Sequence, residues 1–155
     1  MTPGPVRVLM VEDHPAVLAG LKALIGADPE FAIVGEARDG RTALRMATQL
    51  APDVVVLDIS LPEMNGVELA AALRAERPEI RVLVLTVHEE RAYLRQLVEL
   101  GVGGYLLKRS AADELPRAIH AVASGGMYPI RPLPGKLSAV SRAAQRAHRP
   151  GRRRS

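Results

Sequence analysis

The feature that most constrains the fold of this chain is a regular alternation between two kinds of segment. Short runs of β-branched and aliphatic residues recur five times, at residues 6–11, 32–35, 54–57, 82–85 and 104–107. The longer stretches that follow each run carry apolar residues at i, i+3, i+4 and i+7, which is the spacing of an amphipathic helix. Five strands alternating with five helices predict an α/β fold, in which a doubly wound parallel sheet has helices on both faces.

The residue types within the runs indicate where each strand lies in the sheet. The first, third and fourth runs are unbroken apolar sequences, which is typical of strands buried on both faces. The second strand, from Phe31 to Ala37, is more mixed, and we expect it at an edge of the sheet. In a five-stranded parallel sheet of order 2-1-3-4-5, the first and third strands are neighbours at the point where the winding reverses.

The polar residues that interrupt the apolar pattern fall at the carboxyl ends of predicted strands. Glu12 and Asp13 follow the first strand, Asp58 ends the third, Thr86 ends the fourth and Lys108 ends the fifth. Right-handed crossovers keep the strands parallel, so these five residues are expected along one edge of the sheet. Open α/β sheets bind ligands at that edge. Asp13 and Asp58, at the ends of the neighbouring first and third strands, are predicted to face each other across it.

These residue types together favour phosphoryl chemistry. Three carboxylates placed close together repel one another unless one is protonated or a cation lies between them. Ligands that are all oxygen atoms fit a hard ion, Mg²⁺ or Mn²⁺, and Mg²⁺ commonly bridges to phosphate. Lys108 supplies a positive charge for a phosphoryl oxygen, and Thr86 supplies a hydroxyl donor. Each residue alone is typical of a turn or helix cap, but the set predicts transfer of a phosphoryl group onto Asp58.

Composition excludes several other classes of protein. The chain has no Cys, which rules out disulfide scaffolds, cysteine-ligated metals and cysteine nucleophiles. Aromatic residues make up only 3% of the chain, which argues against base stacking on single-stranded nucleic acid. No apolar run is long enough to cross a bilayer and no signal-peptide pattern opens the chain, so we expect a cytoplasmic protein with no membrane partner. The four histidines show no metal-ligand spacing and are expected to be caps and surface residues.

Four stretches of the sequence resemble the receiver domain of two-component response regulators, and are most similar to the NarL/FixJ class. They are V-L-M-V-E-D-H-P (8–15), V-V-V-L-D-I-S-L-P-E-M-N-G (54–66), V-L-V-L-T-V-H (82–88) and G-V-G-G-Y-L-L-K (101–108). The resemblance covers about residues 5–128. It implies a flavodoxin-like fold with strand order 2-1-3-4-5.

The resemblance implies a role for each matching acidic residue. Asp58 would be the phosphoacceptor and would receive its phosphoryl group from a sensor histidine kinase. Glu12, Asp13, Asp58 and the backbone carbonyl of Ser60 would hold Mg²⁺, or Mn²⁺ in its place.

The resemblance also implies how the signal is transmitted. Thr86 and Lys108 would bind the phosphoryl group, because phosphorylation adds strong acceptor oxygens. Thr86 and Tyr105 would form the switch, with Tyr105 rotating inward behind Thr86. An ordinary core or surface role for Tyr105 is an equal alternative.

The end of the chain has a different character from the rest. Residues 131–155 hold 8 basic and no acidic residues, whereas residues 1–130 hold 13 basic and 17 acidic residues and a net charge of −4. The helical pattern stops at Gly125 and Gly126, and a proline-rich stretch follows. We therefore divide the chain into a receiver domain, residues 1–130, and a basic disordered tail, residues 131–155.

Several alternatives remain open for the function of the whole chain. Full-length members of the class control transcription through a helix-turn-helix domain, and residues 131–155 show no such pattern, so DNA binding is not expected. The chain would be a stand-alone receiver or a regulator whose output domain is lost by truncation or frameshift. Whether the chain forms a homodimer is left open by the sequence. We expect a phosphoacceptor with Mg²⁺-dependent self-dephosphorylation rather than an enzyme. The alternative, an aspartyl-phosphate phosphotransferase, commonly carries a second Asp where this chain has Ser60.

Overall fold

The computed structural model describes residues 4–87 and 91–128, and these ranges contain five strands and five α-helices. The strands are β1 (Val6–Val11), β2 (Phe31–Ala37), β3 (Val54–Asp58), β4 (Arg81–Thr86) and β5 (Gly104–Leu107). The helices are α1 (Pro15–Gly26), α2 (Gly40–Leu50), α3 (Gly66–Glu76), α4 (Arg91–Leu100) and α5 (Ala111–Ala123). The predicted alternation is confirmed, while His88 and the predicted tail, residues 131–155, lie outside the described residues.

The strands form one parallel sheet in the order β2-β1-β3-β4-β5. This confirms the predicted doubly wound fold and places β2 at an edge, as its mixed sequence indicated. In the register of the sheet, Val11 of β1 pairs with Leu57 of β3, and Leu57 pairs with Val84 of β4. The central strands therefore end within two register positions of one another, which brings the residues at and after their ends to the same edge.

Alternate side chains of the strands pack into two separate cores, one on each face of the sheet. The face covered by α2, α3 and α4 includes Leu9, Val55, Leu57, Val82 and Val84. The face covered by α1 and α5 includes Val8, Met10, Val54, Val56, Leu83 and Leu85. Full burial of one such side chain stabilises the fold by about 1.5–3 kcal/mol, so the sheet is a rigid platform for the residues at its ends. Among the described residues, no helix has both the length and the apolar character needed to cross a membrane.

The helices that follow β1 and β3 begin close to the ends of those strands. Helix α3 starts with a capping box, in which the Asn65 side chain accepts from the Glu68 N–H at 2.9 Å and the Glu68 carboxylate accepts from the Asn65 N–H at 3.0 Å. Helix α1 has His14 at its N-cap with no capping hydrogen bond from the side chain, and it relies on Pro15 in its first turn. The His14 side chain is thus left to contact its neighbours.

The segment after α5 returns to the sheet and pairs with the edge of β5. The Tyr128 N–H donates to the Gly103 carbonyl at 3.0 Å, and the Tyr105 N–H donates to the Tyr128 carbonyl at 3.2 Å. The Tyr128 hydroxyl is hydrogen-bonded to the Glu114 carboxylate of α5. This short parallel bridge to Gly104 covers part of an otherwise open sheet edge.

Candidate functional site

A buried ion-pair group lies at the carboxyl edge of the sheet. Glu12 and Asp58 are each only 1% exposed, and the Lys108 ammonium lies between them. Its Nζ atom is 2.9 Å from Glu12 Oε1 and 3.2 Å from Asp58 Oδ2. Glu12 follows β1, Asp58 ends β3 and Lys108 follows β5, so the parallel register of the sheet brings them together.

The carboxylates form a group of suitable size for a metal ion. Glu12, Asp13, His14 and Asp58 each place one potential ligand atom within 4.8 Å of the others. Glu12 Oε1, Asp13 Oδ1 and Asp58 Oδ2 are inaccessible to solvent. The Lys108 ammonium faces the first and the third, whereas Asp13 Oδ1 has no hydrogen-bond partner among the described residues. A buried carboxylate oxygen in the condition of Asp13 Oδ1 is unfavourable, because it has lost water without gaining a donor. Three negative charges beside one ammonium therefore fit a divalent cation.

The environment of Asp58 shifts its protonation equilibrium. Burial raises the pKa of Asp58 above its ordinary value, and the neighbouring Glu12 carboxylate acts in the same direction. The Ser60 N–H, which donates to Asp58 Oδ1 at 3.1 Å, and the Lys108 ammonium oppose that rise in pKa only in part. Burial lowers the pKa of Lys108, but its contacts with Glu12 and Asp58 outweigh burial and raise it overall. Lys108 therefore stays charged, and Asp58 favours a nearby cation or a proton.

The remaining predicted site residues lie around this group. Ser60 is exposed in the loop after β3, and its N–H orients the Asp58 carboxylate. Thr86 is 3% exposed at the end of β4 and pairs with Leu107. Tyr105 is also 3% exposed, and it pairs with Val84 within the core on the α4 side of the sheet. Thr86 and Tyr105 thus lie two register positions apart on neighbouring strands.

The loop from β3 to α3 is built so that α3 starts directly against the end of β3. A Cβ atom at Gly66 would lie 2.5 Å from the Ile59 Cα and 2.8 Å from the Asp58 carbonyl oxygen. The Gly66 N–H donates to the Ile59 carbonyl at 2.8 Å across this close approach. Glu63, in the same loop, has a φ of 67°, a left-handed backbone conformation that residues other than glycine rarely adopt. The loop thus brings the first residue of α3 against the backbone at the end of β3.

Sequence reasoning missed two histidines that lie beside carboxylates. His14 Nδ1 is 3.2 Å from Glu12 Oε2 and 3.2 Å from Asp13 Oδ1, so its ring is part of the acidic group. His120 of α5 lies 3.3 Å from carboxylate oxygens of both Asp28 and Glu30. The expectation that these histidines are ordinary caps and surface residues is therefore incomplete. The only sequence signal for His14 is that it follows two acidic residues directly, which is not a metal-ligand spacing.

Comparison with known proteins identifies the family of this chain. The family model of the response regulator receiver domain matches residues 8–120. The chain belongs to this family. The chain is 36% identical to the transcriptional regulatory protein DegU of Brevibacillus brevis over 123 residues, which are 79% of this chain and 52% of that protein.

Other comparisons agree with this membership. The nitrate/nitrite response regulator NarL of Escherichia coli K12 is 34% identical over 139 residues, which are 90% of this chain and 64% of that protein. This receiver chain therefore spans less than two thirds of the length of either regulator. The solved signal receiver domain of a NarL response regulator from Mycobacterium tuberculosis is 36% identical, with a TM-score of 0.76 over 79% of this chain and 99% of that one. The similarity confirms the flavodoxin-like receiver fold and the resemblance to the NarL class.

Proposed function

We propose that this receiver accepts a phosphoryl group on Asp58 from a histidine kinase and transmits the signal through a change of conformation. The observation that carries the proposal is the buried Asp58 carboxylate beside the Lys108 ammonium, at 3.2 Å, within a group of carboxylates that fits a divalent cation. Receiver domains of response regulators generally bind Mg²⁺ in an acidic pocket and interact with histidine kinases. The residues of this chain supply the corresponding side chains.

The transfer step follows from the chemistry of the carboxylate. An Asp58 oxygen attacks the phosphorus of a phosphohistidine, a P–O bond forms, and the P–N bond breaks with its electron pair going to the imidazole nitrogen. The Ser60 N–H fixes one oxygen of the carboxylate, and the Lys108 ammonium attracts the incoming phosphoryl oxygens. Glu12, Asp13, Asp58 and the Ser60 carbonyl would hold Mg²⁺ or Mn²⁺. The bound metal supplies positive charge that reduces repulsion between phosphoryl group and carboxylates.

The switch in this proposal involves Thr86, Lys108 and Tyr105. Lys108 is shared between Glu12 and Asp58, and the added phosphoryl oxygens give it and the Thr86 hydroxyl stronger acceptors. A change in the position of Thr86 alters the space available to Tyr105 on the neighbouring strand. A tenfold change in the ratio of two conformations needs only about 1.4 kcal/mol of differential binding, which is within the reach of these contacts. The face formed by α4, β5 and α5 would carry the change to a partner.

The proposal assigns the parts of the chain as follows. Residues 1–130 form the receiver domain, and residues 131–155 form a basic tail. The protein acts in the cytoplasm as a phosphoacceptor that loses its phosphoryl group through Mg²⁺-dependent attack by water. It is not a phosphotransferase enzyme, because Ser60 stands where such enzymes commonly carry a second Asp.

A phosphorylation assay tests the proposal directly. Acetyl phosphate with Mg²⁺ should add about 80 Da to the full chain, the mass of one phosphoryl group, in intact-protein mass spectrometry. Asp58→Asn should abolish the gain, while Asp113→Asn, which changes an exposed residue of α5, should retain it. A mass gain that persists in Asp58→Asn would place the acceptor elsewhere.

A metal-binding assay tests the acidic pocket. Asp13→Asn should weaken Mg²⁺ binding in titration calorimetry, because it removes one carboxylate from the group. The same substitution should leave the fold intact or more stable without metal, because it relieves repulsion among the carboxylates. Asp113→Asn is the control for both measurements. Unchanged Mg²⁺ affinity in Asp13→Asn would contradict the proposed pocket.

A further inference from the structure

The position of His14 in the acidic pocket is not explained by its role at the start of α1. Its side chain makes no capping hydrogen bond. Instead, its Nδ1 atom lies 3.2 Å from oxygens of two different carboxylates, Glu12 and Asp13. A ring nitrogen carries at most one hydrogen, and here only the Glu12 contact has hydrogen-bond geometry. Asp13 Oδ1 therefore faces the ring, inaccessible to solvent and without a donor among the described residues.

We propose that His14 is a direct metal ligand of this pocket and gives it affinity for borderline divalent ions such as Co²⁺, Ni²⁺ and Zn²⁺. The inference rests on the proposed function, because it concerns the same pocket that holds Mg²⁺. It adds a nitrogen donor to a site otherwise made of oxygen atoms. His14 is thus a specificity-determining residue for the metal.

The distances among the donor atoms fit a common ion. Protein ligands bind ions of this class at about 2.1 Å, so two donors 3.2 Å apart subtend about 100° at the metal. That angle lies between the octahedral value of about 90° and the tetrahedral value of about 109°. His14 Nδ1 meets this condition with both Glu12 Oε2 and Asp13 Oδ1. Asp58 belongs to the same group, in which one ligand atom from each residue lies within 4.8 Å of the others. At the observed spacing, an ion can therefore contact the His14 imidazole together with the carboxylate of Glu12 or Asp13.

The burial of the carboxylates supplies independent support for a cation at this point. Glu12 and Asp58 are 99% buried, and Asp13 Oδ1 beside them is inaccessible to solvent with no hydrogen-bond donor among the described residues. The Lys108 ammonium contacts Glu12 Oε1 and Asp58 Oδ2 but does not pair with Asp13. Among the described residues, no Lys or Arg side chain forms an ion pair with Asp13 on this side of the pocket.

The chemistry of imidazole determines the class of ion. Carboxylate, carbonyl and water ligands suit Mg²⁺ and Mn²⁺, whereas imidazole suits Zn²⁺, Ni²⁺ and Cu²⁺. A nitrogen ligand therefore raises the affinity for the borderline ions more than for Mg²⁺. The ratio of the two affinities, rather than either one alone, reports on His14.

The experiment measures the ratio of Ni²⁺ to Mg²⁺ affinity in a chain without His120, the second histidine that lies beside carboxylates. His120 lies near Asp28 and Glu30 and could bind Ni²⁺ independently, so all variants carry His120→Asn. Titration calorimetry with Ni²⁺ and, separately, with Mg²⁺ compares this parent with His14→Asn. Asparagine can still donate a hydrogen bond to Glu12 and cap α1, but it is a poor ligand for Ni²⁺. Co²⁺ absorption in the visible range reports nitrogen ligation as a second readout.

The expected result is a selective loss. His14→Asn should lower the ratio of Ni²⁺ to Mg²⁺ affinity by at least the roughly 10-fold that loss of even an outer-sphere partner costs. His14→Asn should also shift the Co²⁺ absorption bands. Asp13→Asn should weaken the binding of both Ni²⁺ and Mg²⁺, because the two ions share one pocket.

Other outcomes separate the two proposals. An unchanged ratio in His14→Asn, or Ni²⁺ binding that is insensitive to Asp13→Asn, would overturn the role of His14 while Mg²⁺ binding continued to support the proposed function. A parent that binds Ni²⁺ through His14 but has no affinity for Mg²⁺ would support the ligand role and contradict the Mg²⁺ pocket of the proposed function.

Discussion

Lys108 Nζ lies 3.2 Å from Asp58 Oδ2, although strand β4 separates the strands that carry the two residues. The same ammonium is 2.9 Å from Glu12 Oε1. One positive charge thus balances two buried carboxylates. The stability of this edge of the sheet and its response to pH both depend on that contact.

Removal of the lysine charge should destabilise the fold at neutral pH. Lys108→Met leaves two buried carboxylates without an ammonium, and we expect the free energy of unfolding to fall by about 2–4 kcal/mol. Urea denaturation without metal measures the change, and Mg²⁺ should restore part of the loss. Lys22→Met removes an ion pair with Glu36 on the surface and should cost less than about 1 kcal/mol. Equal losses in the two variants would show that the Lys108 contact is not a buried one.

The raised pKa of Asp58 predicts how stability depends on pH. A carboxyl with a folded-state pKa above its ordinary value of 3.8 binds more protons in the folded chain than in the unfolded chain, so stability falls as pH rises above 3.8. The loss is complete once the pH exceeds the pKa of the folded state. Asp58→Asn removes this contribution. The free energy of unfolding of the variant, relative to that of the wild-type chain, should therefore increase with pH across that window.

Unfolding curves at a series of pH values, with EDTA present, measure this difference. Mg²⁺ should reduce it, because a cation stabilises the charged form of Asp58. A stability difference between Asp58→Asn and the wild-type chain that does not vary with pH would contradict the raised pKa.

Two glycine substitutions should change stability in opposite directions. Gly66→Ala places a Cβ atom 2.5 Å from backbone at the end of β3 and should cost about 3 kcal/mol or prevent folding. Gly20→Ala lies on the exposed side of α1 with nothing within 4 Å of the new atom, and it should stabilise the chain by about 0.5–1 kcal/mol. Thermal unfolding by circular dichroism checks both. A neutral Gly66→Ala would show that α3 does not start so close to β3.

The bridge after α5 should contribute measurably to stability. Tyr128→Phe removes the hydroxyl that bonds to the Glu114 carboxylate and should cost about 1 kcal/mol. Met127→Ala, at a side chain that is 69% exposed, should change stability by less than about 0.5 kcal/mol. Hydrogen exchange gives a local readout, since the Tyr105 amide donates to the Tyr128 carbonyl and should exchange faster in Tyr128→Ala. An unchanged rate at Tyr105 would indicate that the bridge does not persist in solution.

Much of the candidate site could be located from the sequence because strand ends are marked by local changes of residue type. Glu12, Asp13, Asp58, Thr86 and Lys108 each follow an apolar run, and parallel strands bring such residues to one edge. The roles of these residues in phosphoryl transfer and metal binding stay predictions. The contacts of His14 with Glu12 and Asp13 were missed, because contacts between side chains depend on their direction and not only on their spacing along the chain.

The sequence by itself determined the order of strands and helices, the edge position of β2 and the set of polar residues at the strand ends. These follow from hydrophobic periodicity, which is a local property. Only the tertiary structure decided that Lys108 is shared between Glu12 and Asp58, that Gly66 meets the end of β3, and that Tyr128 pairs beside β5. Those contacts join residues that are distant in the chain, and their distances depend on how whole helices and strands pack.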